Sequence, residues 1–186
     1  MIDKPSFLWA GGFYLKTLYN LFGLRENEWN LSFSGVNVHR PVTASYTLEF
    51  GDKKVVNLSS DGIFLKSLTF GSESIPSAVL PLSAARREPV FKTVFDSLRH
   101  SCLYSMNAIV YKISSGADGL LDCEIASFQG HRVFPVVIAP APPRQALVDG
   151  VPLPAPGSVR TPDGQRAYEY SFIAKSGHQH LLIYFK

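Results

Sequence analysis

Cysteine is nearly missing. The two in the chain, Cys102 and Cys123, are too few for a disulfide framework and cannot alone build a metal knuckle. Flanked by Leu103, Leu121 and Ile125, they read as small buried hydrophobes, with a single disulfide left open for a secreted protein. Charge of one sign is also scarce: 18 Lys and Arg stand against 15 Asp and Glu, a net charge of +3. Basic residues adjoin only at Lys53-Lys54 and Arg86-Arg87, so the electrostatic footprint of a nucleic-acid binder is missing and nucleic acid is not an expected partner. The opening stretch MIDKPSFLWAGGFYLK has Asp3, Pro5 and only a brief apolar patch before Lys16. It fits neither a charged leader with a long apolar core nor a membrane span, so the expectation is a cytoplasmic protein with no transmembrane segment. There is no G-x-S-x-G elbow, no Cys in a glycine-rich turn and no G-x-x-x-x-G-K phosphate loop. No catalytic residue and no cofactor follow from the sequence.

What is present is apolar and aromatic. Of 186 residues, 46% are hydrophobic, with 13 Phe and 8 Tyr. A chain of this size buries roughly 70% of its extended surface and needs no staples. Apolar residues at helical spacing over residues 13–23, closed by Gly23, predict a short helix. The period then changes to two, and residues 30–70 read as an antiparallel meander with turns too short for a crossover. A second helix is expected over residues 88–103, because Val90, Phe91, Val94, Phe95, Leu98 and Cys102 fall on one helical face. Residues 107–113 and 120–128 read as paired strands, and the run 133–139 as an edge or bulged strand because Pro135 cannot donate to a ladder.

Residues 140–166 are the sharpest compositional break. Their prolines predict an extended arm or linker. Among those prolines Leu147, Val151 and Leu153 suit docking on a neighbour, since a stiff segment loses little entropy on binding; a passive tether is the plainer reading. Residues 167–186 alternate on both sides of a polar turn and predict a C-terminal β-hairpin. The expected architecture is therefore α+β and β-dominated. A mostly antiparallel barrel or sandwich with two helices occupies residues 1–139, followed by the arm and the hairpin.

The segment VVNLSSDGIFL sets Asn57, Ser59 and Gly62 in a turn between two strand-like runs, where Asn and Ser bond nearby backbone and Gly permits reversal. An ordinary tight turn accounts for it. The spacing N-x-S-x-x-G also resembles half of the signature of the PilZ domain family, with the likeness running loosely from Arg40 to about Leu82. That resemblance implies a small β-barrel holding cyclic di-GMP through Arg40, Asn57, Ser59 and Gly62. The family's second arginine is missing, since Val36 and Ala44 stand four residues either side of Arg40. A lone guanidinium fork cannot reproduce paired recognition of guanine and phosphate. A degenerate member that binds protein partners follows from that departure.

His178 and His180 form an H-x-H pair on the last strand, a familiar element of metal sites in β-barrels, with His39, His131, Asp122 or Glu124 as further ligands. The alternative places His178 in the turn and His180 at an ordinary strand position. Three functions thus stand side by side. The leading one is a non-catalytic binding or assembly module, a subunit of a larger secretion, pilus or phage-type structure with a protein partner or a second copy as its contact. The others are a PilZ-like bacterial regulatory domain and a small metal-dependent β-barrel enzyme.

Overall fold

A computed structural model describes residues 24–26, 29–33, 47–50, 53–58, 62–116, 119–162 and 164–185. The expected helix over residues 13–23 lies outside them. The chain runs β1 (Leu24–Glu26), β2 (Leu31–Phe33), β3 (Thr47–Phe50), β4 (Lys53–Leu58), β5 (Phe64–Phe70), β6 (Glu73–Ile75), α1 (Leu82–Arg87), β7 (Val90–Asp96), β8 (Cys102–Ser105) and β9 (Ile109–Ser115). It continues with β10 (Leu120–Ser127), β11 (Arg132–Val133), β12 (Val136–Ile138), β13 (Gln145–Val148), β14 (Val151–Pro152), β15 (Gly157–Arg160), β16 (Arg166–Glu169), β17 (Phe172–Ile173) and β18 (Gly177–Tyr184). The protein is β-dominated and its pairings are antiparallel, apart from β4 with β7 and an isolated parallel bridge from Ser77 to Leu103. The sheets among the described residues are open, with no barrel closing on itself.

Three sheets make up the body. An outer sheet has the order β14-β13-β18-β10-β9, a middle sheet β15-β16-β12-β8, and a third sheet β3-β4-β7-β5-β6. In the middle sheet, strands β16, β12 and β8 bury residues on both faces. Leu103, Val137 and Tyr168 join the larger apolar cluster with Val110, Leu121, Cys123, Ile125, Leu181 and Ile183 of the outer sheet. Their chain neighbours Cys102, Tyr104, Ile138 and Ala167 join a second cluster with Leu65 and Phe95 of the third sheet. Pleating sends successive side chains to opposite faces, so a strand wedged between two cores must be apolar at consecutive positions. The segment between Ile75 and α1 ties β2 to this middle layer, through Phe33 N–H to Ala78 O at 2.7 Å and Ala78 N–H to Leu103 O at 2.7 Å.

Three expectations are corrected. The helix over residues 88–103 is absent, because Val90–Asp96 is a strand that turns Phe91, Thr93 and Phe95 inward. Its β-branched and aromatic residues fit a pleated surface, and its place between β4 and β5 fixes the period at two. The only helix among the described residues is the Ala- and Arg-containing α1 just upstream. It stops where Glu88, extended at ψ 130°, precedes Pro89, whose ring disfavours helical geometry in the residue before it. The meander is interrupted, since β4 and β5 do not pair and β7 lies between them, parallel to β4. The long path through β5, β6 and α1 supplies the connection that parallel pairing needs. The C-terminal hairpin is also replaced. Strand β16 pairs with β12 and β15 while β18 pairs with β10 and β13, so the two alternating runs belong to different sheets. The two-residue β17, which pairs with β11, fills the space between them.

Candidate functional site

Of the residues in the PilZ-like turn, Arg40 and Ser59 lie outside the described residues. Asn57 is a β4 position paired with Thr93. Gly62 is buried, and a Cβ there would fall 1.9 Å from the carbonyl carbon of Asp96. Close backbone approach therefore requires this glycine whatever binds nearby. Asp96 closes the adjoining turn: its carboxylate accepts from Leu98 N–H at 3.2 Å and lies 3.0 Å from His100 Nε2. The Leu98 amide and then the His100 ring hold that carboxyl down at about 2.

The proline-rich segment is woven into the body. Its strand β13 pairs with β18, and β15 pairs with β16. Leu153 packs on the larger core and Leu147 is half-buried opposite Leu182. Val151, 59% exposed on β14, is the one of the three aliphatic residues that faces solvent. Asp149 and Gly150 form the turn between β13 and β14 with φ of 50° and 79°, the positive pair that a tight hairpin needs. The Asp149 carboxylate accepts from His180 N–H at 2.9 Å and from Gln179 Nε2 at 2.8 Å. Partial burial opposes its charge, but the Gln179 and His180 hydrogen bonds outweigh that and keep the carboxyl below its ordinary value.

On the outward face of the outer sheet, His178 Nδ1 meets Glu124 Oε1, and His180 Nδ1 lies 3.5 Å from Asp122 Oδ1. The Tyr111 ring stands 4.3 Å from that of His178. The strands pair Glu124 with His180 directly, so the contacts run diagonally between β10 and β18. Among the described residues no three His, Cys, Asp or Glu side chains come together as a metal-holding group. Both cysteines are free and buried, in separate clusters. Burial and the neighbouring Asp122 push the Cys123 thiol far up, so it stays protonated.

A different group of residues forms the most open apolar feature. The short segment between β10 and β12 carries Phe128, His131 and Phe134, and Phe128 is 74% exposed. Trp29 stacks on His131 at 5.0 Å and meets Phe128 edge-on at 5.6 Å. Asn107 fixes this segment. Its Nδ2 donates to Arg132 O at 2.9 Å, its Oδ1 accepts from Phe134 N–H at 2.6 Å, and its amide and carbonyl both lie 3.1 Å from His131 Nε2. Asn30 does the same on the other side, donating to Met106 O and Ala108 O and accepting from Val110 N–H.

Each of these asparagines lines a cleft. One, of about 450 Å³, is lined by Ser105, Met106, Asn107, Phe134, Val136 and Glu169. The other, of about 270 Å³, is lined by Trp29, Asn30, Leu31, Leu80, Leu82, Ala85 and Ile109.

No family model, curated protein or solved structure matches this chain.

The aromatic group was not singled out in the sequence. Its signal was there in FQGHRVF, where two Phe flank a glycine turn instead of alternating along a strand, but Trp29 and Asn107 join it only through the fold. Among the described residues no helix is long and apolar enough to cross a membrane.

Proposed function

We propose that the protein is a binding or assembly module whose contact surface is the aromatic end formed by Trp29, Phe128, His131 and Phe134. The observation that carries this reading is the exposure of Phe128 beside Trp29 and two clefts. Large aromatic side chains left in water next to concave apolar surface mark interaction sites, because covering them gains hydrophobic area at low conformational cost. The brace from Asn107 and Asn30 supports it as well, since a surface held by several side-chain to backbone hydrogen bonds is already ordered before a partner arrives. The proline-rich segment contributes support to the body in this reading, and only the tip at Val151 is left for contact.

A photo-crosslinking amino acid at position 128 tests the proposal, with the same group at the exposed position Leu98 as control. In cells that make the protein, a discrete adduct from position 128 that disappears with Phe134→Asp is the expected result. Equal adducts from both positions, or none from position 128, would reject this surface.

A further inference from the structure

The larger cleft differs from a plain apolar groove by one group. Glu169 is half-buried on β16, and among the described residues its carboxylate has no hydrogen-bond or ionic partner. Register places it in a row across the middle sheet, with Val136 facing Ser105 on one side and Glu169 on the other. The next strand continues the row with Gly157, and a Cβ built there meets only the Glu169 backbone oxygen, at 3.9 Å. Gly157 has no side chain to lay over Glu169 from that side. Phe134, 37% exposed, forms a wall of the same cleft, with its backbone pinned by Asn107.

We propose that this cleft receives an arginine side chain of the partner, an inference that rests on the aromatic end being the contact surface. The chemistry selects the occupant. An unpaired carboxylate in a partly desolvated site attracts a cation, and a planar guanidinium can meet it with two parallel N–H bonds. The same plane stacks on an aromatic face, which an ammonium does less well. The aliphatic stem of the arginine then lies along the partly exposed Val136, as long cationic side chains do over apolar surface. The cleft, at about 450 Å³, falls in the size range of ligand sites and is open enough for a side chain presented from another surface.

The test is a titration of the isotopically labelled full chain with N-acetyl-arginine-methylamide, following backbone amide resonances. Saturable shifts at Asn107, Phe134 and Val136 are expected. The citrulline analogue, neutral but of the same shape, should bind about tenfold more weakly, and so should arginine to Glu169→Gln. Phe134→Leu, which keeps an apolar wall and removes the π face, should weaken binding about threefold. Equal binding of citrulline, a lysine analogue that binds as well as arginine, or no saturable response would each overturn the proposal. Loss of arginine binding in Glu169→Gln with the position-128 adduct intact confirms the cleft as separable from the wider surface. Absence of arginine binding to the parent chain with that adduct intact rejects the cleft and leaves the interface standing.

Discussion

The middle and outer sheets use the same kind of strand in opposite ways. In the outer sheet, β10 reads LLDCEIAS and β18 reads GHQHLLIY, with Leu121, Cys123, Ile125, Leu181 and Ile183 inward and charged or imidazole groups outward. In the middle sheet, β8 reads CLYS and β12 reads VVI, and their consecutive residues enter two different cores. One wet face produces alternation, whereas two dry faces erase it. The difference teaches where stability and contact are separated in this molecule. The inner strands of the middle layer are committed to packing on both sides, β15 at its edge is largely exposed, and Ser105, Val136 and Glu169 line the cleft at one end.

The largest expected effect comes from removing residues 140–186. That deletion takes β13, β14 and β18 from the outer sheet, leaving β9 and β10, and takes β15 and β16 from the middle sheet. The remainder should show no cooperative thermal transition and no near-ultraviolet dichroism. A deletion chain that still melts cooperatively would mean that both sheets stand without their C-terminal strands. Next in size is the contrast between Leu103→Ala and Leu182→Ala. Leu103 is 0% exposed in the doubly covered layer, and its truncation should lose about 3–4 kcal/mol in urea denaturation. Leu182, half-exposed on the outer face of β18, should lose about 1 kcal/mol. Equal losses would break the distinction between the two sheets.

That distinction also decides what was legible in the sequence. Strands β9 and β10 and the strand character of β18 were readable because alternation survives where one face is wet. Strand β7 was mistaken for helix because Val90, Phe91, Val94 and Phe95 fit a helical face as well as a pleated one, and the inward residue that separates the two, Thr93, is polar. The hairpin was misassigned because alternation reports that a strand exists and says nothing of which strand lies beside it. Pro135 was read as the mark of an edge or a bulge: β12 just beyond it is central, between β16 and β8, and its pairing with β8 shifts register between Val136 and Val137. The aromatic end was only partly visible for a related reason: Phe128, His131 and Phe134 stand close in sequence, but Trp29 and Asn107 reach them only through the fold. The proline-rich segment looked like a free arm because proline forbids long strands, and it does not forbid the short ones found at β13, β14 and β15.

Smaller effects sharpen the account of the outer sheet. Asp149→Ala removes two hydrogen bonds to the start of β18 and places a Cβ residue without local bonding at positive φ, so about 1–2 kcal/mol should be lost. Asp149→Asn tolerates that backbone and keeps one acceptor, and should lose about half as much. The same loss from both would assign the effect to charge alone. Acid should act at the third sheet through Asp96. Its carboxyl sits at about 2 in the folded protein against 3.8 ordinarily, so its contribution is complete above about pH 4 and disappears as pH falls through about 2. Asp96→Asn should flatten the slope of stability between those values in denaturant titrations at each pH, and an unchanged slope would remove the turn from the acid response.

The smallest effect should lie at the outward pair of His178 and Glu124. Both side chains are substantially exposed, at 48% and 32%, so water competes for each and the partners gain little from being held together. A double-mutant cycle with His178→Asn and Glu124→Gln should give a coupling of no more than about 0.5 kcal/mol, and it should shrink with added salt. The contrast with Glu169 is the point of the measurement. Glu124 already has a cationic-capable neighbour and lies in an open sheet face, so it has little left to offer a partner. Glu169 lines a cleft and has none among the described residues, and an incoming guanidinium would find its charge unshared. A coupling at His178 and Glu124 of several kcal/mol would reverse that ranking, making the outer face, with its Tyr111 ring beside His178, the more strongly organised polar surface of the two.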